Sequence, residues 1–192
     1  MALKDATDVA KRCLCLELLL QRLGLEIDDE DPVTERDAVR RAWVSRLGQL
    51  GLEEAIAADE RELLERSVGG LSEDECDDIE GRVIGALVLL WSLERLTERP
   101  SAAMLGEATT LMAEHGVLGD GSIPAAKATL GSVHLREESD LRAALAAYTA
   151  TRGEAGIATP ADQEPMVAAI AVESLTWVIQ SSSSASSATT GS

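Results

Sequence analysis

The chain has 192 residues, of which 45% are hydrophobic, and its formal net charge is −17. This length and apolar content are sufficient for a buried core in one domain, and the acidic surface disfavours direct binding to nucleic acid and to anionic membranes. The core must be aliphatic, because the chain has no phenylalanine, one tyrosine and three tryptophans. Since few stretches alternate β-branched or aromatic residues with polar ones, we predict an all-α fold: a single helical domain over residues 1–180, with about seven helices.

Apolar residues at helical spacing predict three helices in the first third of the chain. The first runs from Asp5 to Leu23 and is ended by Gly24. The second begins with Thr34 as its N-cap, and the third covers Glu53 to Arg66. All three are expected to pack around the helix that follows them.

Residues Val83 to Leu93 form an almost uninterrupted apolar run and mark the centre of the predicted fold. Ser72 followed by Glu75 is a capping-box pattern, so the predicted helix begins at Ser72 and continues to about Leu96. Its apolar part is well below the roughly 20 residues that cross a bilayer. A helix that is apolar on nearly every face must be surrounded by others, so we predict a central helix with Trp91 as an inner anchor.

The second half of the chain predicts three more helices and a tail. One helix stops near His115-Gly116, a loop follows from Gly116 to Pro124, and two further helices cover Glu137 to Arg152 and Pro165 to Gln180. Residues 181–192 are rich in serine and have nothing to bury, so we predict a disordered tail.

The three cysteines favour packing roles in a cytoplasmic protein. Their number is odd and no apolar signal segment opens the chain, which is typical of a reducing compartment. Cys13 and Cys15 lie two positions apart on a predicted helix, where their side chains diverge. We therefore expect buried packing cysteines here, not a disulfide or a metal pair.

Two acidic segments are candidate binding surfaces for a basic protein partner. The first is a loop, and its residues lack the glycine and glutamate spacing of a calcium-binding EF-hand, so no metal site is predicted. The second lies at the start of the central helix, where residues at i, i+4 and i+7 share one face. The predicted partner-binding residues are Asp28, Asp29, Glu30 and Asp31 in the loop, and Glu73, Asp77 and Glu80 on the helix.

No nucleophile, phosphate-binding or dinucleotide motif is present in the sequence, so no catalytic residue and no cofactor are predicted. The chain has two histidines, and His134 with Glu137 forms its one His-x-x-Glu pair. A di-iron bundle needs a second such pair and further glutamates. The alternative to a protein-binding surface is therefore an inter-helical pocket near His134, Glu137 and Tyr148, which would serve an enzyme or a small-molecule binder.

The order of several short segments resembles the bacterial family known as domain of unknown function 4272. The segments that carry the resemblance are Arg12, Trp43, Leu71 to Glu75, Leu89 to Leu93, Asp140-Leu141 with Arg152, and Ser174 to Trp177. The resemblance implies a helical bacterial protein without an assigned activity. This chain has Ala147-Tyr148 where the family pattern has a His-Trp pair, and Ala171 where it has an arginine, so it is predicted to be a divergent member.

Because the chain is strongly acidic and its sequence has no recognisable catalytic motif, we predict a non-enzymatic bacterial interaction protein. Its partner is expected to be basic, and its role that of an inhibitor, an immunity-type protein or an adaptor. The sequence sets no oligomeric state.

Overall fold

The computed structural model describes residues 3–119, 121–154 and 163–180, and within these ranges the chain is all-α, as predicted, without a strand. The helices are α1 (Ala6–Ile27), α2 (Val33–Leu50), α3 (Ala58–Glu65), α4 (Glu73–Gly81), α5 (Val83–Ser92), a 3-10 helix (Ala102–Glu107), α6 (Ala108–His115), α7 (Ile123–Leu130), α8 (Glu138–Glu154) and α9 (Glu164–Ile179). The predicted serine-rich tail lies outside the described residues.

The apolar run at the centre of the sequence forms α5, which is buried along almost its whole length. It packs against both α1 and α9, and α8 packs against α9. Trp91 is 7% exposed, and the guanidinium of Arg136 lies 4.7 Å from the centre of its ring. The prediction of a buried central helix with Trp91 as an anchor is confirmed.

The predicted helix from Ser72 to Leu96 is in fact two helices. Ser72 caps α4 as expected, with Glu75 completing the capping box, but α4 ends at Gly81 and α5 begins at Val83. The intervening Arg82 has a tightened conformation (ψ −13°), and its amide is shared between the carbonyls of Asp78 and Ile79. The Arg82 side chain forms ion pairs with Asp59, Glu60 and Asp78, which stabilise its position between the two helices.

The ends of the first helices differ from the predictions by a few residues. Helix α1 continues past Gly24 to Ile27, since Glu26 accepts hydrogen bonds from the amides of Gly69 and Leu71. Helix α2 begins at Val33, before the predicted cap at Thr34. Residues 53–57, predicted as helical, are irregular and lead into α3.

The predicted loop from Gly116 to Pro124 is shorter in the structure, because the unpredicted helix α7 begins at Ile123. The start of this loop is held by Glu17 of α1, whose buried carboxylate accepts hydrogen bonds from the amides of Val117 (2.6 Å) and Leu118 (2.8 Å). A Cβ at Gly116 would collide with the Met112 carbonyl oxygen, so this close approach requires glycine. The first residues of the loop are thereby fixed to the core.

Candidate functional site

A cleft of about 1090 Å³ is lined by the start of α1, residues 51–57, the junction of α4 and α5, and α9. Its floor is aliphatic and includes Leu16, Leu89 and Ile170. Gly85 of α5 also lies in the floor, where a Cβ would be in ordinary van der Waals contact with Ser174 Oγ of α9 at 3.5 Å. Helices α5 and α9 therefore lie against each other beneath the cleft.

One wall of the cleft is a cluster of two partly buried arginines around a buried glutamate, which we call the arginine clamp: Arg12 of α1, Glu60 of α3 and Arg82 between α4 and α5. Both guanidiniums donate to the fully buried Glu60 carboxylate, with Arg12 Nη2 and Arg82 Nη1 at 2.7 and 2.6 Å from Oε1. Arg12 Nη1 also donates to Oε2 of the same group. The clamp thus ties three separate parts of the chain together.

The charges of the arginine clamp are neutralised within the protein. Arg82 also pairs with Asp59 (3.1 Å) and Asp78 (2.6 Å), so two guanidiniums face three carboxylates. Burial alone would raise the pKa of Glu60, but the hydrogen bond and charge of Arg12 outweigh burial and hold that pKa below its ordinary value. Glu60 is therefore a structural carboxylate that is ionised near neutral pH and unsuited to proton transfer there.

Five exposed carboxylates line the cleft, and one of them, Asp78, pairs with Arg82. We call the other four the rim carboxylates: Asp8, Glu54, Asp77 and Glu173. None of them forms an ion pair within the described part of the chain. Two lysines, Lys4 and Lys11, line the same cleft. The rim therefore carries more negative than positive charge, and that negative charge is open to solvent.

A second, smaller cavity of about 610 Å³ adjoins the cleft along α9. It shares Ile170, Glu173 and Trp177 with the cleft and extends to Arg152 of α8 and to Gln180. The exposed surface of α9 therefore borders a groove that continues beyond the cleft.

The structure divides the predicted acidic surface into two parts. Glu73, Asp77 and Glu80 are all exposed on α4, and Asp77 lines the cleft. Glu73 and Glu80 do not line it, and neither do the loop residues 28–31 between α1 and α2. Within that loop, Asp28 is half-buried at the end of α1 and accepts a hydrogen bond from the amide of Glu30. Of the predicted partner-binding residues, only Asp77 is part of the cleft.

The geometry gives no support to the predicted pocket near His134, Glu137 and Tyr148. His134 is exposed and pairs with Glu94 at 2.8 Å, while the buried Tyr148 hydroxyl donates to the Pro100 carbonyl at 2.5 Å. Burial raises the pKa of Tyr148 to about 12, although Arg99 acts in the opposite direction. Glu137 is exposed just before α8. None of the three residues lines either cavity.

The cysteines of α1 have the packing role that the sequence predicts. Cys13 and Cys15 are completely buried and free, and burial raises the pKa of both thiols, to about 12 for Cys15. Cys76 is half-buried and is also free. The described residues contain no cluster of three or more histidine, cysteine or acidic side chains arranged to hold a metal ion.

Sequence reasoning did not identify the arginine clamp. Arg12 and Glu60 are 48 positions apart, and Arg82 lies a further 22 positions along the chain. One local signal was present: Glu60 stands three residues after Ala57, and its carboxylate accepts a hydrogen bond from the Ala57 amide at 3.0 Å, as in a capping box. That pattern marks the start of a helix but says nothing about a partner 48 residues away.

Comparison of the chain with models of known protein families, with curated proteins and with solved structures finds no match in any of the three. The resemblance to domain of unknown function 4272 therefore stays a prediction. Among the helices of the described residues, none has both the length and the apolar character needed to cross a membrane.

Proposed function

We propose that the chain is a non-enzymatic interaction module that binds a basic, amphipathic segment of a partner protein across the cleft. An inhibitor, an immunity-type protein or an adaptor in the bacterial cytoplasm would act in this way. The observation that carries the proposal is the combination of an aliphatic floor with rim carboxylates that have no basic partner within the described ranges. Apolar anchors in a groove and complementary charge at its edge are how amphipathic segments are recognised.

The electrostatics of the cleft support a basic partner over an acidic one. The two arginines of the clamp are already satisfied by three carboxylates, so they offer little charge to a ligand. The rim carboxylates outnumber Lys4 and Lys11, and the exposed Glu73 and Glu80 extend the negative surface along α4. With a net charge of −17, the whole chain attracts a basic partner at long range.

The lining of the cleft supports binding over catalysis. Among the described residues that line it there is a single hydroxyl side chain, Ser174, and no histidine or cysteine. The one deeply buried carboxylate, Glu60, is held ionised by two arginines. Size is consistent with binding a segment, because small-molecule pockets are typically about 300–1,000 Å³ and the cleft, at about 1090 Å³, is slightly larger than that.

The test compares two variants with the same change in charge. The first replaces the rim carboxylates (Asp8→Asn, Glu54→Gln, Asp77→Asn, Glu173→Gln). The control replaces four exposed carboxylates that line neither cavity: Glu35→Gln, Glu98→Gln, Glu107→Gln and Asp140→Asn. Binding of a labelled amphipathic peptide of leucine and lysine is measured by fluorescence anisotropy at low and high salt, with a leucine–glutamate peptide as the control ligand.

We expect the rim variant to bind the basic peptide roughly tenfold or more weakly, since each of four charge pairs contributes a few tenths of a kcal/mol or more. Its salt dependence should also fall, and the control variant should keep most of the affinity. Equal losses in the two variants would mean that net charge alone attracts the peptide. Absence of binding by the native chain would overturn the proposal.

A second part of the test determines whether the peptide binds in the cleft itself. A Cβ built on Gly81, which lines the cleft, has no atom within 4 Å, so a larger side chain there extends into open space. Gly81→Phe should reduce affinity by blocking the cleft, whereas Gly81→Ala should leave it unchanged. If Gly81→Phe binds the peptide as tightly as Gly81→Ala, the peptide lies elsewhere.

A further inference from the structure

One corner of the cleft already holds a cation. The side-chain nitrogen of Lys4 lies 4.8 Å from the centre of the Trp177 ring on α9. The Lys4 amide also donates to the Val178 carbonyl at 2.9 Å, which fixes the backbone next to that ring. A cation over the face of an indole is the most favourable of the cation–π pairs in proteins. The Trp177 ring is half-buried and lines both the cleft and the adjoining cavity.

Two of the rim carboxylates belong to the same two segments as this pair. Glu173 lies one helical turn before Trp177 on α9, and Asp8 lies four positions after Lys4. Both are exposed and both line the cleft, and neither forms an ion pair in the part of the chain that the structure describes. An aromatic face accompanied by carboxylates is the chemistry that recognises a lysine or arginine side chain.

Lys4 has the properties of an exchangeable occupant of this corner. Its ammonium ends a flexible stem of four carbons and has no carboxylate partner among the described residues, so only the ring contact holds it there. Its backbone is anchored independently through the Val178 carbonyl. Moving the side chain away therefore leaves the packing of the N-terminal segment in place.

We infer that the Trp177 ring is the subsite for one basic side chain of the partner segment, and that Lys4 occupies this subsite until the partner displaces it. This inference rests on the proposed function and adds to it a specific contact and a built-in competitor. Occupation of the ring by Lys4 raises the selectivity of the cleft, because a weakly bound basic segment must first compete with a tethered ammonium.

The test uses the labelled leucine–lysine peptide and the full chain with single substitutions. Lys4→Gln should bind about threefold more tightly than Lys11→Gln, because both changes remove one positive charge from the cleft but only Lys4 covers the ring. Trp177→Leu should weaken binding, and in the Trp177→Leu background the advantage of Lys4→Gln over Lys11→Gln should disappear. Circular dichroism melting checks that each variant is folded, and Trp177→Met, which also removes the aromatic face, replaces Trp177→Leu if the latter unfolds.

The outcomes separate this inference from the proposed function. If the peptide binds with the expected dependence on the rim carboxylates but Lys4→Gln and Lys11→Gln have equal affinity, the subsite is overturned and the proposed function stands. Weaker binding by Lys4→Gln would also overturn it, since Lys4 would then support the ligand. Binding that is detected only in Lys4→Gln would support the inference strongly, and absence of binding by every variant would overturn both.

Discussion

Glu60 in the arginine clamp is fully buried and accepts hydrogen bonds from two guanidiniums, whereas the rim carboxylates of the same cleft are exposed and unpaired in the described ranges. The two regions use the same chemical group for different purposes. In the clamp each charge is paired within the protein, so these ion pairs stabilise the packing of α1, α3 and the α4–α5 junction. At the rim the matching charge must come from outside the chain.

This difference separates charge that stabilises the fold from charge that is available for binding. A high net negative charge does not by itself identify a binding surface, because many of the acidic residues are engaged in ion pairs. Glu26, for example, pairs with the completely buried Arg22, and Glu75 pairs with Arg66. The carboxylates that remain free around an apolar floor are the better indicator of a partner site.

The largest effect is expected when the clamp loses its central carboxylate. Glu60→Gln keeps the shape of the side chain but leaves Arg12 without an ionic partner in the described residues, while Arg82 keeps Asp59 and Asp78. Breaking a fully buried ion pair costs about 3–5 kcal/mol of unfolding free energy, and because Arg12 is partly exposed we expect a loss of about 2 kcal/mol. Urea denaturation followed by circular dichroism measures the loss.

The matched control for that substitution is Glu62→Gln on the same helix. The side chain of Glu62 is 74% exposed and pairs with Arg66 at the surface, so the expected change in unfolding free energy is about 0.5 kcal/mol or less. If the Glu60 and Glu62 variants were equally stable, the clamp would have no structural role, and its arginines would be free for a ligand.

Acid pH should distinguish the two buried carboxylates, Glu60 and Glu17. The clamp holds the pKa of Glu60 below 4.5, so its contribution to stability is present above that pH and is lost as the pH falls through the folded-state value. Burial raises the pKa of Glu17 above 4.5, despite hydrogen bonds from two amides, so its contribution is present below that pH and is lost as the pH rises. The two groups therefore change the unfolding free energy in opposite directions as the pH rises.

Unfolding free energies measured by urea denaturation between acid and neutral pH check these signs. Relative to the native chain, Glu60→Gln should lose less stability on acidification below pH 4.5, and Glu17→Gln should lose less as the pH rises above it. Parallel curves for the native chain and either variant would show that the substituted carboxylate has the same pKa in the folded and unfolded states.

The helical core was predictable because its signals are local. The apolar run of α5, the capping box at Ser72 and Glu75, and the end of α6 at His115 all follow from residues within a few positions of each other. Helix α7 was missed because it is short and only Ala126 and Leu130 of its residues are buried. Its local start signal was present, with Ser122 capping the Ala125 amide.

The cleft could not be predicted because its parts come from distant positions. In sequence, Arg12 and Glu60 resemble any charged residues on the solvent side of a helix, and only the fold brings them together. The same distance in sequence explains the break at Arg82, whose partners include Glu60 and Asp59 in α3. Asp77 was identified as a candidate binding residue through its place in the acidic strip, but its position beside an aliphatic floor was not foreseeable from helical spacing.

The smallest but most specific effect is expected from two neighbouring aspartates of α4. Asp78 pairs with Arg82 of the clamp at 2.6 Å, whereas Asp77 faces the cleft without an ion pair in the described residues. Because the Asp78 side chain is 58% exposed, Asp78→Asn should cost only about 0.5 kcal/mol of unfolding free energy, and Asp77→Asn should cost less.

Binding of the leucine–lysine peptide should show the reverse order, with Asp77→Asn the weaker binder and the less salt-dependent one. The two substitutions are identical in chemistry and adjacent in sequence, so opposite rankings in stability and affinity would locate the boundary between clamp and rim at a single peptide bond. If Asp78→Asn instead weakened binding more than Asp77→Asn, the arginine clamp would belong to the binding surface, and the division of charge between the two regions would be wrong.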